Sequence, residues 1–193
     1  MRRQLFGVFL LALALLADNK IILSQSRPLS LPQLVAAAGA IFSGKVINVW
    51  SARDPAAGFI VTCSTIAVQD AVRGVSGSRF TFKQYGGSYG GLNVFLADMS
   101  YFFEGEEIVA FLYPASVLGL TSPVGTTEGK FLIRRDSKTG NKIVLDNLIH
   151  TQMLAPFIGK SSLPDAATAT TAPIMEYEKF IAIVRDLAQR HLQ

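Results

Sequence analysis

The stretch Phe59-Ile60-Val61-Thr62-Cys63-Ser64-Thr65-Ile66-Ala67-Val68 decides the fold class, together with its continuation Arg79-Phe80-Thr81-Phe82-Lys83-Gln84. The first segment is rich in β-branched residues and contains neither Gly nor Pro. Such residues sit at little cost on a pleated surface and lose more freedom in a helix. Ile60, Thr62, Ser64, Ile66 and Val68 fall on one face and the residues between them on the other. Arg73-Gly74-Val75-Ser76-Gly77-Ser78 breaks the alternation, and Arg79 to Gln84 resumes it. Two strands around a Gly/Ser turn predict a long antiparallel hairpin.

Working outward, Asp54-Pro55-Ala56-Ala57-Gly58 predicts a turn and Ile41 to Trp50 a preceding strand. Within that strand Phe42, Gly44, Val46, Asn48 and Trp50 form the more apolar set and are expected to face the core. Gly44 predicts a bulge or tight bend. Ser30-Leu31-Pro32-Gln33 has the capping residue, the first-turn proline and the reciprocal glutamine that open a short helix, and Gly39 ends it. Beyond the hairpin, Glu107 to Tyr113 reads as an apolar strand. Gly129 to Arg135 and Lys142 to Leu145 read as a second hairpin about Ser137-Lys138-Thr139-Gly140-Asn141. The expected fold is mainly β: a small antiparallel OB-type barrel of five to six strands, with a short N-terminal helix and a C-terminal amphipathic helix.

Four segments are expected along the chain: a signal peptide over 1–26, the β-barrel domain over 27–158, a linker over 159–173 and the C-terminal helix over 174–192. Arg2-Arg3 precedes the apolar run Leu5 to Ala17, which has signal-peptide length and is too short for a membrane span of about 20 residues. Cleavage is expected after Ala17 or after Ser26, where Ser24-Gln25-Ser26 offers a small-x-small pattern. A Sec-type signal implies a secreted or periplasmic protein, with no membrane attachment after cleavage. The segment Gly159 to Pro173 is small, polar and Pro-containing, as linkers are. Tyr177, Phe180, Ile181, Val184, Leu187 and Ala188 then recur at helical spacing on one face.

Half the residues are hydrophobic and 17% are charged, enough apolar content for a core of roughly 100–130 residues. The net charge is +4; Arg2, Arg3 and Lys20 against Asp18 account for +2, leaving +2 for a chain starting at Arg27. So small an excess, without a block of like charges, points away from nucleic acid. Cys63 is the single cysteine, which excludes an internal disulfide. No His is spaced to activate it, and a buried inert thiol is the reading taken. His150 and His191 fall in different segments, so no metal site is expected. Gly125-Thr126-Thr127-Glu128-Gly129-Lys130 has the wrong spacing for a phosphate loop and precedes a strand, not a helix. Gly86-Gly87-Ser88-Tyr89-Gly90-Gly91 likewise lacks a following helix. No catalytic or cofactor-binding residue is assigned, and no nucleophile-elbow motif occurs.

The Gly- and aromatic-rich stretch Tyr85 to Phe103 has no clean period and is expected to form a long irregular loop. Long loops in compact domains are often functional. Tyr85, Tyr89 and Tyr101 are the candidate binding surface, since tyrosine supplies large contact area at low entropy cost. The alternative at this point is that Phe95, Phe102 and Phe103 plug the barrel end.

The order of Val35 to Val49 (VAAAGAIFSGKVINV), Arg73-Gly74, Gly105-Glu106-Glu107-Ile108-Val109-Ala110-Phe111-Leu112 and Glu128-Gly129-Lys130 resembles the netrin-like and tissue-inhibitor-of-metalloproteinases superfamily. The resemblance covers Leu31 to Leu145. It implies a secreted OB-type five-stranded barrel with a C-terminal helix, mostly protein-binding. The disulfides and the zinc-chelating N-terminal cysteine of the inhibitors are missing here, so no inhibitory residue carries over. The chain is also similar to uncharacterised secreted bacterial proteins with the same landmarks. The expected role is a non-catalytic, monomeric binding module for another exported protein, a protease being one candidate. A carbohydrate- or envelope-polymer-binding domain and an enzyme of unknown type are the alternatives.

Overall fold

The computed structural model describes residues 28–145 and 174–191. The expected signal peptide, the linker and residues 146–158 lie outside the described residues. The chain is mainly β. A short helix, α1 (Leu31–Ala37), is followed by β1 (Ala40–Arg53), β2 (Ile60–Arg73), β3 (Arg79–Tyr85), β4 (Gly87–Tyr89) and β5 (Leu92–Val94). Next come β6 (Glu107–Leu112), β7 (Lys130–Arg135) and β8 (Lys142–Leu145), then β9 (Ile174–Glu176) and α2 (Tyr177–Arg190). Seven strands form one antiparallel sheet in the order β3-β2-β1-β6-β7-β8-β9, and β4 with β5 forms a separate hairpin. Three hairpin-linked strands with a fourth returning beside the first make β6-β1-β2-β3 a Greek key. The sheet does not close into the expected barrel. Where a closed barrel would need a ladder, β3 meets the β6–β7 connection only at a bridge between Lys83 and Leu120.

The sheet bends around one core and carries a second on its back. Phe42, Val46, Ile66, Phe82, Ile108 and Leu112 fill the concave side with Phe102. On the convex side Ile41, Val109, Phe111, Phe131 and Val144 pack against α1 and α2. The helices cover β6, β7 and β8 together with early β1 and late β2. Both faces of early β1 are therefore buried, and Ile41 and Ser43 are as inaccessible as Phe42.

Bulges set the rest of β1. Its register to β2 shifts at Ile41/Phe42, at Ser43/Gly44, where the glycine predicts an irregularity, and between Val46 and Asn48. One inserted residue reverses the faces of everything after it. Phe42, Gly44 and Val46 point into the core as expected, but Asn48 and Trp50 face outward and are exposed. Val49 takes the inward position instead.

Two further expectations are corrected. The stretch from Tyr85 to Phe103 is not wholly irregular: Tyr85 ends β3, and β4 pairs with β5 in register Gly87–Val94, Ser88–Asn93 and Tyr89–Leu92. Gly90 and Gly91, at φ 60° and 81°, form a two-residue turn that needs positive φ at both positions. At the other end of the chain, Ile174–Glu176 is a strand, and the helix begins only at Tyr177. These three residues cover the edge of β8 with Met175 inward, and an exposed edge is what a sheet must otherwise blunt. The helix itself meets the core as its periodicity predicts, with Phe180 and Val184 fully buried.

Candidate functional site

Where late β1 (Asn48–Arg53), early β2 (Ile60–Thr65) and β3 pair, no helix of the described residues covers the convex side. Cross-strand register aligns Trp50, Cys63 and Lys83 in one row and Ala52, Val61 and Tyr85 in the next. The Asp54 turn at the end of this face is rigid. Its carboxylate accepts from the Ala56 and Ala57 amides at 3.0 and 2.9 Å and from Lys83 Nζ at 2.6 Å. The Lys83 bond, then the Ala57 amide, holds the Asp54 carboxyl below its ordinary range. Burial pushes the neighbouring Cys63 thiol up, away from the thiolate a nucleophile needs.

Beside this face the β4–β5 hairpin lies across the open end of the concave core. A Cβ on Gly87 would come within 2.4 Å of Ser51 Oγ and 2.5 Å of Thr62 Oγ1, so only glycine allows the approach. Ser88 N donates to Ser51 Oγ at 3.3 Å, and Ser88 Oγ donates to Asn93 Oδ1 at 2.6 Å across the hairpin. On this fixed support Tyr89, Leu92, Phe95 and Leu96 are 50–63% exposed. Four large apolar side chains within eight residues make a patch of the kind that marks interaction sites.

The three candidate tyrosines have different positions. Tyr101 is structural: its hydroxyl donates to Tyr85 O at 2.9 Å, accepts from Leu96 N at 3.3 Å, and its ring meets Phe95 edge-on. Tyr85 is half-buried with its ring against Phe59. Tyr89 projects from the hairpin into solvent. Of the three phenylalanines considered as a plug, Phe102 alone is buried, whereas Phe95 and Phe103 are exposed. Lys130 locks that segment in place. Its ammonium pairs with Glu106 at 2.7 Å, donates to Tyr101 O at 2.7 Å and lies 5.0 Å from the Phe102 ring centroid. Burial pushes the Lys130 ammonium down, against the pull of Glu106.

Leu92 and Leu96 belong to this surface and Trp50 to the open face of the sheet, and pattern did not place any of them there. Trp50 turns outward at the bulge near Ile47, which alternation alone does not reveal. Leu92 lay in a stretch read as irregular, though Gly90-Gly91 between a tyrosine and a leucine was a usable hairpin signal.

One polar cluster has the composition of a reactive site but not its access. Ser43 Oγ bonds Tyr177 OH, which donates to Asp70, and Asp70 pairs with Arg185. Ser43 and Tyr177 are buried, and the cluster fastens α2 to the sheet. Burial, then the Asp70 bond, pushes the Tyr177 hydroxyl well above the ordinary tyrosine range. Among the described residues no group of three His, Cys, Asp or Glu side chains converges as a metal site would, and no helix is long and apolar enough to cross a membrane. No family model, curated protein or solved structure matches this chain.

Proposed function

We propose that this protein is an exported, non-catalytic binding module whose contact surface is the β4–β5 hairpin with Phe95 and Leu96. The observation that carries this reading is the exposed apolar patch on a backbone held by Gly87, Ser88 and Tyr101. A rigid patch loses little entropy when it is covered. The partner is another exported protein, a protease being one candidate. Export rests on the residue 1–26 leader and is checked by mass spectrometry of secreted material, which should begin between Asp18 and Arg27. An intact Met1 in the membrane fraction removes it.

The fold is proposed to be of OB type, in the netrin-like manner. The Greek key β6-β1-β2-β3 continuing into β7, the Lys83–Leu120 bridge across the gap and the C-terminal helix support that reading. The binding function is tested by pull-down from culture supernatant with the domain from Arg27 onward. Replacing Tyr89, Leu92 and Phe95 together by Ser should abolish capture with the melting curve held. Undiminished capture by the triple variant refutes the hairpin surface.

A second reading, glycan binding, is favoured by Trp50. Its exposed indole stands on an open face among Asn48, Thr65, Thr81 and Lys83, and OB-type domains use that kind of face for oligosaccharides. Retention on cell-wall polysaccharide that Trp50→Ala abolishes would select it.

A further inference from the structure

We infer a second binding site, separate from the hairpin: the free edge of β3 takes an extended acidic peptide segment as an added strand. The ladder between β2 and β3 runs without a register shift, and its ends are marked by Val68 N to Ser78 O and Gly86 N to Ile60 O. Alternation therefore directs the amides and carbonyls of the even-numbered β3 residues at β2 and those of Arg79, Thr81, Lys83 and Tyr85 away from it. The second half of this outer edge is occupied. Lys83 O accepts from Thr121 N at 2.8 Å and Tyr85 O from Tyr101 OH at 2.9 Å. At Arg79 and Thr81, among the described residues, no backbone partner faces the edge. Unpaired strand edges are templates for another chain.

Against this edge lies a groove of about 320 Å³ between Phe80 and Phe82 on one side and Leu112, Tyr113 and Pro114 on the other. That is the lower end of ligand-site volumes, about 300–1,000 Å³, and it suits side chains of a strand better than a whole small molecule. Val117 and Leu118 lie in sequence between the lining residues Ala115 and Gly119 and are exposed.

Charge chooses the occupant. Residues 73–84 and 112–127, which form both walls, contain Arg73, Arg79 and Lys83 and no Asp or Glu. Arg73 is committed to helix carbonyls and Lys83 to Asp54, so of these three Arg79 is the exposed one with no ion pair among the described residues. A second copy pairing its own β3 here would set Arg79 near its counterpart, which like-charge repulsion opposes. An incoming strand with carboxylates on its outer face and apolar residues towards the groove matches both the charge and the walls.

The test uses the full mature chain and two dye-labelled, end-capped decapeptides, one alternating Glu and Val and the other Lys and Val, read by fluorescence polarisation. The acidic peptide should bind saturably below about 1 mM and the basic one should not. Exchange of the Arg79 and Thr81 amides should slow on binding. Thr81→Pro removes an outward amide while leaving the ladder to β2 intact, and should weaken binding about fivefold to tenfold. Arg79→Glu, at an exposed position, should reverse the preference between the peptides. Tyr89→Ala should leave peptide binding unchanged, which separates this site from the hairpin. Absence of saturable binding, equal affinity for both peptides, or an unaltered preference in Arg79→Glu overturns the inference.

Discussion

Arg73 donates to the carbonyl oxygen of Ala188 at 3.1 Å, and so ties the end of β2 to the last turn of α2 across 115 residues of sequence. The same guanidinium reaches Val35 O at 2.5 Å and Ala38 O at 3.3 Å where α1 ends. Both helices thus present their unsatisfied C-terminal carbonyls to one cation, the partner that the helix dipole and the orphan acceptors favour.

Arg73→Ala should lower stability by about 2–3 kcal/mol, because three acceptors lose their donor and the guanidinium stem is partly buried. Arg73→Lys should recover little, since one ammonium cannot span carbonyls from two helices. Urea unfolding of both variants measures this. A loss below about 0.5 kcal/mol for Arg73→Ala would mean water replaces the clamp without cost.

The Tyr177 hydroxyl predicts an alkaline transition. Its pKa in the folded state lies well above that of a free tyrosine, about 10, because burial and the Asp70 bond disfavour the phenolate. A raised value means that its contribution is fully present below about pH 10 and is lost as the pH rises above it. Unfolding free energy measured from pH 8 to 12 should fall in the upper part of that range, and Tyr177→Phe should flatten the fall. An identical slope in the variant would place the loss elsewhere.

What alternation could report, it reported: the central hairpin from Ile60 to Val68 and Arg79 to Gln84, and the hairpin of β7 and β8, present a period of two, whereas β6 reads as an unbroken apolar run buried on both faces. The 3.6-residue stripe of Phe180, Ile181 and Val184 likewise marked the buried face of α2. The insertion near Ile47 has no signature of its own, since a bulge is set by the partner strand, so Trp50 was assigned to the wrong face. The short hairpin β4–β5 was hidden by its glycines, which read as irregular chain until their φ values are known. β9 is three residues long and exists because β8 has an edge to cover, a tertiary cause that local composition does not carry. Tyr89 was legible as a surface aromatic, whereas the supporting role of Tyr101 depends on Tyr85 O and Leu96 N being brought within reach by the fold.

Phe180 anchors α2 on the convex core, with its ring 5.1 Å from that of Phe131 and 6.5 Å from that of Phe111. Phe180→Ala should cost about 3–5 kcal/mol, the range for deleting a buried aromatic ring. The loss should appear in thermal melting of the isolated chain. A Tm unchanged by the substitution would show that α2 is not docked in solution and is held for another partner.

The last prediction separates Tyr101 from Tyr89, which the sequence presents as equivalents. Tyr101→Phe keeps the ring against Phe95 and removes the hydroxyl that bridges Tyr85 O and Leu96 N. It should destabilise the chain by about 1–2 kcal/mol, the net worth of one or two partly buried hydrogen bonds. Tyr89→Ala removes a half-exposed ring whose hydroxyl has no hydrogen bond among the described residues, and should change stability by less than about 0.5 kcal/mol. Partner capture should show the opposite order. Tyr89→Ala loses contact area directly, whereas Tyr101→Phe acts only by loosening the turn that carries Phe95 and Leu96. Paired measurements of Tm and capture on the two variants decide it: if Tyr89→Ala melts early, the hairpin is part of the core and its surface role is lost; if Tyr101→Phe captures less than Tyr89→Ala, the contact is made by Phe95 and Leu96 and not by the hairpin tip.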